Sequence, residues 1–378
     1  MKMIEYVCYR CERKYPVTRF QYNCDCGNPL ELKKDVSFPL NKIQKRKYTL
    51  WRYQEAIPIE NKENLISFDE GMTPLIDFDY KDFNLKVKID YLFPSGSYKD
   101  RGATVLISKL KEIGVKSIIE DSSGNAGAAI ACYSAKAKIK WEIYCPDSTS
   151  EGKIAQIHLY GAKIRKIPGT RADTSLAILK DAQKYYYASH NWNPFFLEGT
   201  KTVAYEIAEQ LNWKSPDAII CPVGFGSIYL GLYIGFKELI EKNIIKKLPK
   251  LLGVQSNACC PIYKAYINKK NEIIKYTQKK QTIAEGICSE KPIRDKLILK
   301  ALKETKGAFT TVSDNEIIKG TKSLAIQGLY VEPTSAVVLP AVDKFYNNKI
   351  INHDQIIVII LTGSGLKSTE KIVKMFGE

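Results

Sequence analysis

The sequence predicts an α/β protein with two parallel- or mixed-sheet domains, one inserted in the other, behind a small cysteine-rich N-terminal module. Three observations carry this prediction. Apolar runs of strand length, such as Leu85 to Phe93, Ala218 to Val223 and Ile356 to Leu361, alternate with stretches of helical periodicity. Several of these runs lead into a helix through a turn of small residues. Four of the ten cysteines crowd into the first 26 residues, and the other six are scattered.

The N-terminal module comes first. Cys8-x2-Cys11 and Cys24-x-Cys26 read as a zinc ribbon over residues 1–34, because paired knuckles close a tetrahedral thiolate site without a folded core beneath them. The final Cys-x-Cys is tighter than the usual Cys-x2-Cys. Disulfides are the alternative, which a reducing compartment disfavours. Four sulfurs leave no open coordination position, so the role expected of the metal is structural.

A basic stretch from Lys42 to Lys47 leads into the larger domain, expected over residues 35–111 and 191–378. Between these parts lie four strand-helix alternations at Ile118-Ile119, Trp141 to Cys145, Ile164 to Ile167 and Tyr185 to Ala188. They predict a smaller inserted parallel-sheet domain over residues 112–190. The active site is expected in the cleft between the two.

The most informative turn is Pro94-Ser95-Gly96-Ser97-Tyr98-Lys99-Asp100-Arg101-Gly102. Before it, Leu85, Val87, Ile89, Tyr91 and Phe93 have period two; after it, Ala103, Leu106, Leu110 and Ile113 recur at helical spacing. Lys99 therefore falls in the first helical turn, among unpaired backbone N–H groups, a setting that helps keep a nucleophilic amine. A covalent cofactor anchor belongs in such a place.

Two further small-residue turns precede helices. Ser122-Ser123-Gly124-Asn125-Ala126-Gly127 opens an alanine-rich helix whose backbone a flat ligand can approach closely. Gly224-Phe225-Gly226-Ser227 follows a strand buried on both faces and presents N–H groups that suit a phosphate. It is not a Walker loop, and Tyr229 stands where the third glycine of a dinucleotide fingerprint belongs. A tight packing turn explains this glycine pair about as well. Finally, Thr362-Gly363-Ser364-Gly365 follows the last strand, and Thr362 or Ser364 offers a neutral hydroxyl to an aromatic nitrogen.

Taken in order with Glu70-Gly71-Met72-Thr73-Pro74-Leu75 and Glu332-Pro333-Thr334-Ser335-Ala336, these motifs resemble threonine synthase, of the fold type II pyridoxal-phosphate enzymes related to tryptophan synthase β. The likeness runs from Cys8 to about Lys367. It implies pyridoxal phosphate on Lys99, with Asn125, Gly224, Phe225, Gly226, Ser227 and Thr362 holding the cofactor. It also implies O-phosphohomoserine as substrate, with Lys99 as the mobile base. Phe225 departs from the asparagine usual in archaeal threonine synthases, many of which carry an N-terminal ribbon. Threonine dehydratases, cysteate synthases and phosphoserine sulfhydrylases share much of the pattern, so β-replacement on O-phosphoserine remains an alternative.

Such a substrate brings two anions. Its carboxylate is expected to meet Ser123, Gly124, Asn125 and Ala126 at a helix N-terminus. For its phosphate, Arg171 is the main candidate because a guanidinium offers a bidentate fork, with Lys153 and Ser95 as lesser ones.

Composition fits an enzyme. The 378 residues are 45% hydrophobic, enough to bury one large core or two smaller ones. No run approaches the roughly 18 apolar residues of a spanning helix, and Met1 to Tyr6 does not read as a signal peptide. A cytoplasmic homodimer without membrane or nucleic-acid partners is expected. The net charge of +16 is spread over dispersed lysines and would draw in a phosphorylated substrate. A basic zinc-ribbon protein binding nucleic acid is the distant alternative, and it leaves Lys99 and the glycine turns unexplained.

Overall fold

The computed structural model describes residues 4–17, 21–149, 151–169, 171–278 and 280–377, without the side chains of residues 84, 151–153, 171 and 172. The chain packs as two units, each built from two separate segments: Met1–Gly71 with Lys99–Thr200, and Met72–Tyr98 with Lys201–Glu378. This division differs from the expected 112–190 insertion, because the helix Lys99–Glu112 packs with the smaller sheet's own helices. Gly102 makes that possible: a Cβ there would stand 2.5 Å from the Phe196 ring.

In the first unit, β1 (Glu5–Cys8) pairs antiparallel with both β2 (Lys14–Pro16) and β3 (Leu30–Lys33). Tyr6, Cys8, Cys24 and Leu30 of this ribbon join the same apolar cluster as Leu106, Ile130, Phe195 and Phe196. Tyr6 meets Phe195 edge to face at 6.0 Å, and half-buried Lys34 reaches Glu198 at 2.6 Å. The ribbon is thus part of the unit's core.

The second sheet of this unit holds β6 (Ser117–Glu120), β7 (Lys140–Pro146), β8 (Lys163–Ile167) and β9 (Tyr186–Tyr187) in the order β8-β7-β6-β9, all parallel. All four expected strands form. Each is followed by a helix, which is what a parallel crossover requires.

The second unit has a six-stranded sheet. Its strands are β4 (Leu75–Tyr80), β5 (Phe83–Ile89), β10 (Ala218–Pro222), β11 (Lys250–Ser256), β12 (Ala308–Val312) and β13 (Ile357–Leu361). They lie in the order β12-β11-β10-β13-β5-β4, parallel except for edge strand β4, which runs antiparallel to β5. Every residue of β10 and β13 is buried, as expected of central parallel strands.

A network of charged groups lies deep in this unit. Lys88 is fully buried and donates to Glu206 at 2.8 Å, Gln210 at 2.8 Å and the Thr73 carbonyl at 2.6 Å. Thr73 in turn donates its hydroxyl to Asp90 at 2.8 Å. The network ties the entry of β4 and the exit of β5 to the helix Thr202–Gln210.

Candidate active site

Lys99 is the first residue of a 14-residue helix, Lys99–Glu112. Asp100, Arg101 and Gly102, which follow it, are buried, whereas Lys99 itself is half-buried. Its Nζ stands 5.6 Å from the centroid of the Phe196 ring, a cation–π distance. Phe196 belongs to the helix Pro194–Thr200, which lies close on the Lys99 helix. A Cβ on Gly199 would come within 1.8 Å of the Arg101 carbonyl oxygen, so only glycine fits there.

In the same unit, the turn after β6 runs directly into the 13-residue helix Asn125–Ala137, with Gly124 at the N-cap. Ser123 and Asn125 are half-buried, Gly124 is exposed and Ala126 is buried. A Cβ on Gly127 would lie 1.8 Å from the Ser122 carbonyl oxygen. The backbone of Ser122 therefore folds tightly over the first helical turn, and the Ser122 hydroxyl accepts from Gly124 N–H at 3.4 Å at the helix end. Such an end holds a carboxylate well.

The other two turns belong to the second unit. Gly226 adopts φ +92° as N-cap of the 15-residue helix Ser227–Glu241, a conformation that glycine takes without strain. A Cβ on Gly224 would stand 2.9 Å from the Gly286 carbonyl oxygen. Phe225 is partly exposed, and Ser227 shares a hydrogen bond of 2.8 Å with the hydroxyl of Tyr98. A glycine turn at the N-terminus of a long helix, with a serine hydroxyl beside it, fits the phosphate of pyridoxal phosphate.

The loop after β13 joins the segment that precedes Lys99. Tyr98 N–H donates to the Thr362 carbonyl at 3.0 Å, Ser364 N–H donates to the Gly96 carbonyl at 3.0 Å, and Lys367 donates to the Ser95 carbonyl at 2.8 Å. Ser335 Oγ lies 3.0 Å from Thr362 Oγ1 and accepts from the N–H groups of Thr362 and Gly363 at 3.0 and 2.8 Å. Thr362 is 2% exposed, so its hydroxyl has a fixed setting. A neutral hydroxyl held this way suits an aromatic nitrogen acceptor.

The structure therefore brings Ser95, Thr362 and Ser227 into one bonded frame within the second unit, and Lys99 follows that frame directly in the chain. Ser123, Gly124, Asn125 and Ala126 form the helix end in the first unit. The side chains of Lys153 and Arg171 lie outside the described residues; their backbones sit in the helices Glu151–Leu159 and Arg171–Asp181. Sequence reasoning missed Tyr98 as a connector, although it adjoins Lys99 in the motif. It also missed the role of Ser335, which the Glu332-Pro333-Thr334-Ser335 motif marks, and gave no sign of the pair His190 and Glu120.

The four N-terminal cysteines also come together. Their sulfurs all lie within 4.8 Å of one another, with Cys8 to Cys26 at 3.6 Å and Cys11 to Cys24 at 3.4 Å. A tetrahedral site with metal–sulfur bonds of about 2.3 Å has sulfurs roughly 3.8 Å apart, so the cluster fits zinc. Donors surround it: Arg10 N–H and Asn28 Nδ2 approach Cys8 and Cys26 at 3.5 and 3.4 Å, and the Tyr15 hydroxyl lies 3.1 Å from Cys24. The side chain and backbone N–H of Asn28 hold the Cys26 thiol down at about 6.

Comparison with known proteins agrees with this geometry. Residues 66–363 match the family model described as pyridoxal-phosphate dependent enzyme. Threonine synthase of Methanocaldococcus jannaschii is 35% identical, over 97% of this chain and 94% of that protein. Threonine synthase of Methanosarcina acetivorans is 33% identical, over 98% and 94%. In fold, the chain is similar to the processed form of threonine deaminase isoform 2 from Solanum lycopersicum, with a TM-score of 0.70, 19% identity and 91% of each chain covered. With the Lys99 turn, the phosphate cradle and this similarity along almost its whole length, the chain belongs to the pyridoxal-phosphate dependent enzymes and, among them, to the threonine synthases.

Proposed function

We propose that this enzyme converts O-phospho-L-homoserine and water to L-threonine and phosphate, with pyridoxal phosphate held on Lys99. The observation that carries the reading is the 2.8 Å bond from Tyr98, the residue before Lys99, to Ser227 of the phosphate cradle. It fixes the approach to the lysine and the anion site in one frame.

Bound pyridoxal phosphate supplies an electron sink for the charge that develops when a proton leaves the substrate's Cα. The chain's own residues do the rest. Lys99 anchors the cofactor and, once released, carries protons between substrate carbons. Gly224, Phe225, Gly226 and Ser227 bind the cofactor phosphate through backbone N–H groups. Thr362 offers its hydroxyl to the ring nitrogen and, too weakly acidic to give up its proton, leaves that nitrogen largely uncharged. Asn125 bonds the phenolic oxygen, and the N–H groups of Gly124 to Ala126 receive the substrate carboxylate. Overall, the Cγ–O bond to phosphate breaks, and water adds a hydroxyl at Cβ. Arg171, with Lys153 and Ser95, is assigned to the leaving phosphate.

Cys8, Cys11, Cys24 and Cys26 are assigned one structural zinc ion. A cytoplasmic homodimer is the form in which we expect the enzyme to work. Among the described residues no helix is long and apolar enough to cross a membrane.

The test is turnover of O-phosphohomoserine, O-phosphoserine and threonine by the purified protein, each product being identified. Threonine and phosphate from the first substrate are expected. A preference for O-phosphoserine or for threonine would replace this reading by a β-replacement enzyme or a dehydratase.

A further inference from the structure

Glu120 ends β6 fully buried, and its Oε1 lies 2.8 Å from Nδ1 of His190, whose side chain is 7% exposed. His190 lies just beyond β9, beside the carboxyl end of β6, and Glu120 stands two residues before the Ser122–Gly127 turn. The imidazole then meets the ring of Phe196, centroids 5.8 Å apart at 66°. On that same ring rests Lys99, its Nζ 5.6 Å from the centroid. Every member of this chain of contacts belongs to the first unit.

We propose that the buried Glu120–His190 pair is a positioning device for Lys99, acting through the Phe196 ring that both His190 and Lys99 contact. Packing alone gives no reason for the pair. A buried polar pair can often be replaced by apolar side chains of similar volume at no loss of stability, so we read this one as orienting rather than stabilising. Glu120 fixes the imidazole: its carboxylate accepts from Nδ1–H, which sets both tautomer and ring direction.

Phe196 is fully buried, with its ring against the Gly102 backbone on one side and His190 against it on another. With His190 against it, the ring becomes a fixed wall beside the flexible four-carbon stem of Lys99. A lysine that serves as both anchor and base swings between positions, and a fixed wall narrows that arc.

The inference rests on Lys99 being the anchor, and the experiment separates the two. Borohydride reduction of the parent holoenzyme followed by peptide mapping tests the anchor alone; an adduct elsewhere removes that reading, and this inference with it. With the adduct on Lys99, the double variant Glu120→Met/His190→Leu removes the pair without stranding a charge. It is expected to keep its cofactor and melting temperature, while kcat falls about tenfold and KM stays within about twofold, the pattern of a misplaced catalytic group. The circular dichroism band of the bound cofactor, which reads the orientation of its attachment, should weaken in parallel.

Glu120→Gln keeps an acceptor for Nδ1–H and should recover most of the loss. Should the double variant fail to fold, Phe196→Leu reads the same arc and is expected to give the same fall in kcat with KM unchanged. Parental kcat and an unaltered dichroism band in a folded variant of either kind, or equal shifts in kcat and KM, would overturn the proposal.

Discussion

The hydroxyls of Tyr98 and Ser227 meet at 2.8 Å across 129 positions of sequence. One residue immediately precedes the lysine we propose as anchor, and the other opens the helix we assign to the cofactor phosphate. Tyr98→Phe removes this bond and leaves the ring in place. We expect it to weaken cofactor retention severalfold, in keeping with about 1 kcal/mol for one hydrogen bond. Equilibrium dialysis of cofactor checks this; parental affinity in the variant would show that the bond is only local packing.

Gly226→Val should be harsher. At φ +92° a β-branched side chain is strained, and its Cβ would lie 2.7 Å from Cδ1 of Ile298. Loss of about five- to thirtyfold in cofactor affinity is expected, from about 1–2 kcal/mol of backbone strain. Titration of the apoenzyme with pyridoxal phosphate measures it.

Lys99→Ala should leave a folded protein without turnover, because anchor and base disappear together. A fall on the order of 10²–10⁴ is expected from loss of the base alone. Added primary amines ought to restore part of the rate, which a lysine with only a structural role would not allow.

Metal removal should be felt in the core before it is felt in chemistry. Tyr6 and Cys8 share an apolar cluster with Phe195 and Phe196, so opening the cysteine site loosens the helix Pro194–Thr200. Chelation is expected to lower the melting temperature and to raise hydrogen exchange in that helix. Metal analysis showing no zinc and four unbound thiols in freshly purified protein would dismiss the assignment.

Acid should weaken one surface clamp in a predictable direction. Arg46 grips Glu55 with two bonds of 2.6 and 2.5 Å, and these hold the Glu55 carboxyl below its ordinary value despite partial burial. A carboxyl depressed in the folded state contributes its stability above the unfolded value, and that contribution is lost as pH falls through the folded value. Arg46→Ala should therefore cost about 1 kcal/mol at neutral pH, a figure that allows for solvent screening. The gap between parent and variant should close below about pH 4; a gap independent of pH in urea titrations would assign the effect to packing.

Much of this site was legible because its turns are written in small residues after apolar runs, a pattern with a direct backbone meaning. The helix does begin at Lys99, and the glycines at 224 and 226 sit where side chains have no room. Strand length was less legible. Alternation continues to Phe93, but β5 ends at Ile89, where its ladder with β13 ends at Leu361. Lys88 and Asp90, on the polar phase of that alternation, are buried to meet Glu206 and Thr73, so burial runs unbroken from Val87 to Asp90. The partners Lys88 with Glu206 and Glu120 with His190 lie 118 and 70 residues apart, and no local pattern announces such pairs. The division into packed units was less legible for a similar reason, since the packing of the Lys99–Glu112 helix on the Asn125–Ala137 helix is invisible until the two meet.

The interleaving of the two units has a consequence for synthesis on the ribosome. The first unit needs nothing beyond Thr200 and can close while the rest of the chain is still being made. The hairpin of β4 and β5 emerges long before β13, the parallel neighbour of β5, at Ile357–Leu361. Until β13 is made, that side of β5 waits unpaired, so nascent chains stalled before residue 357 should engage chaperones through this hairpin. Closing so distant a pairing makes the second unit the slow step of folding.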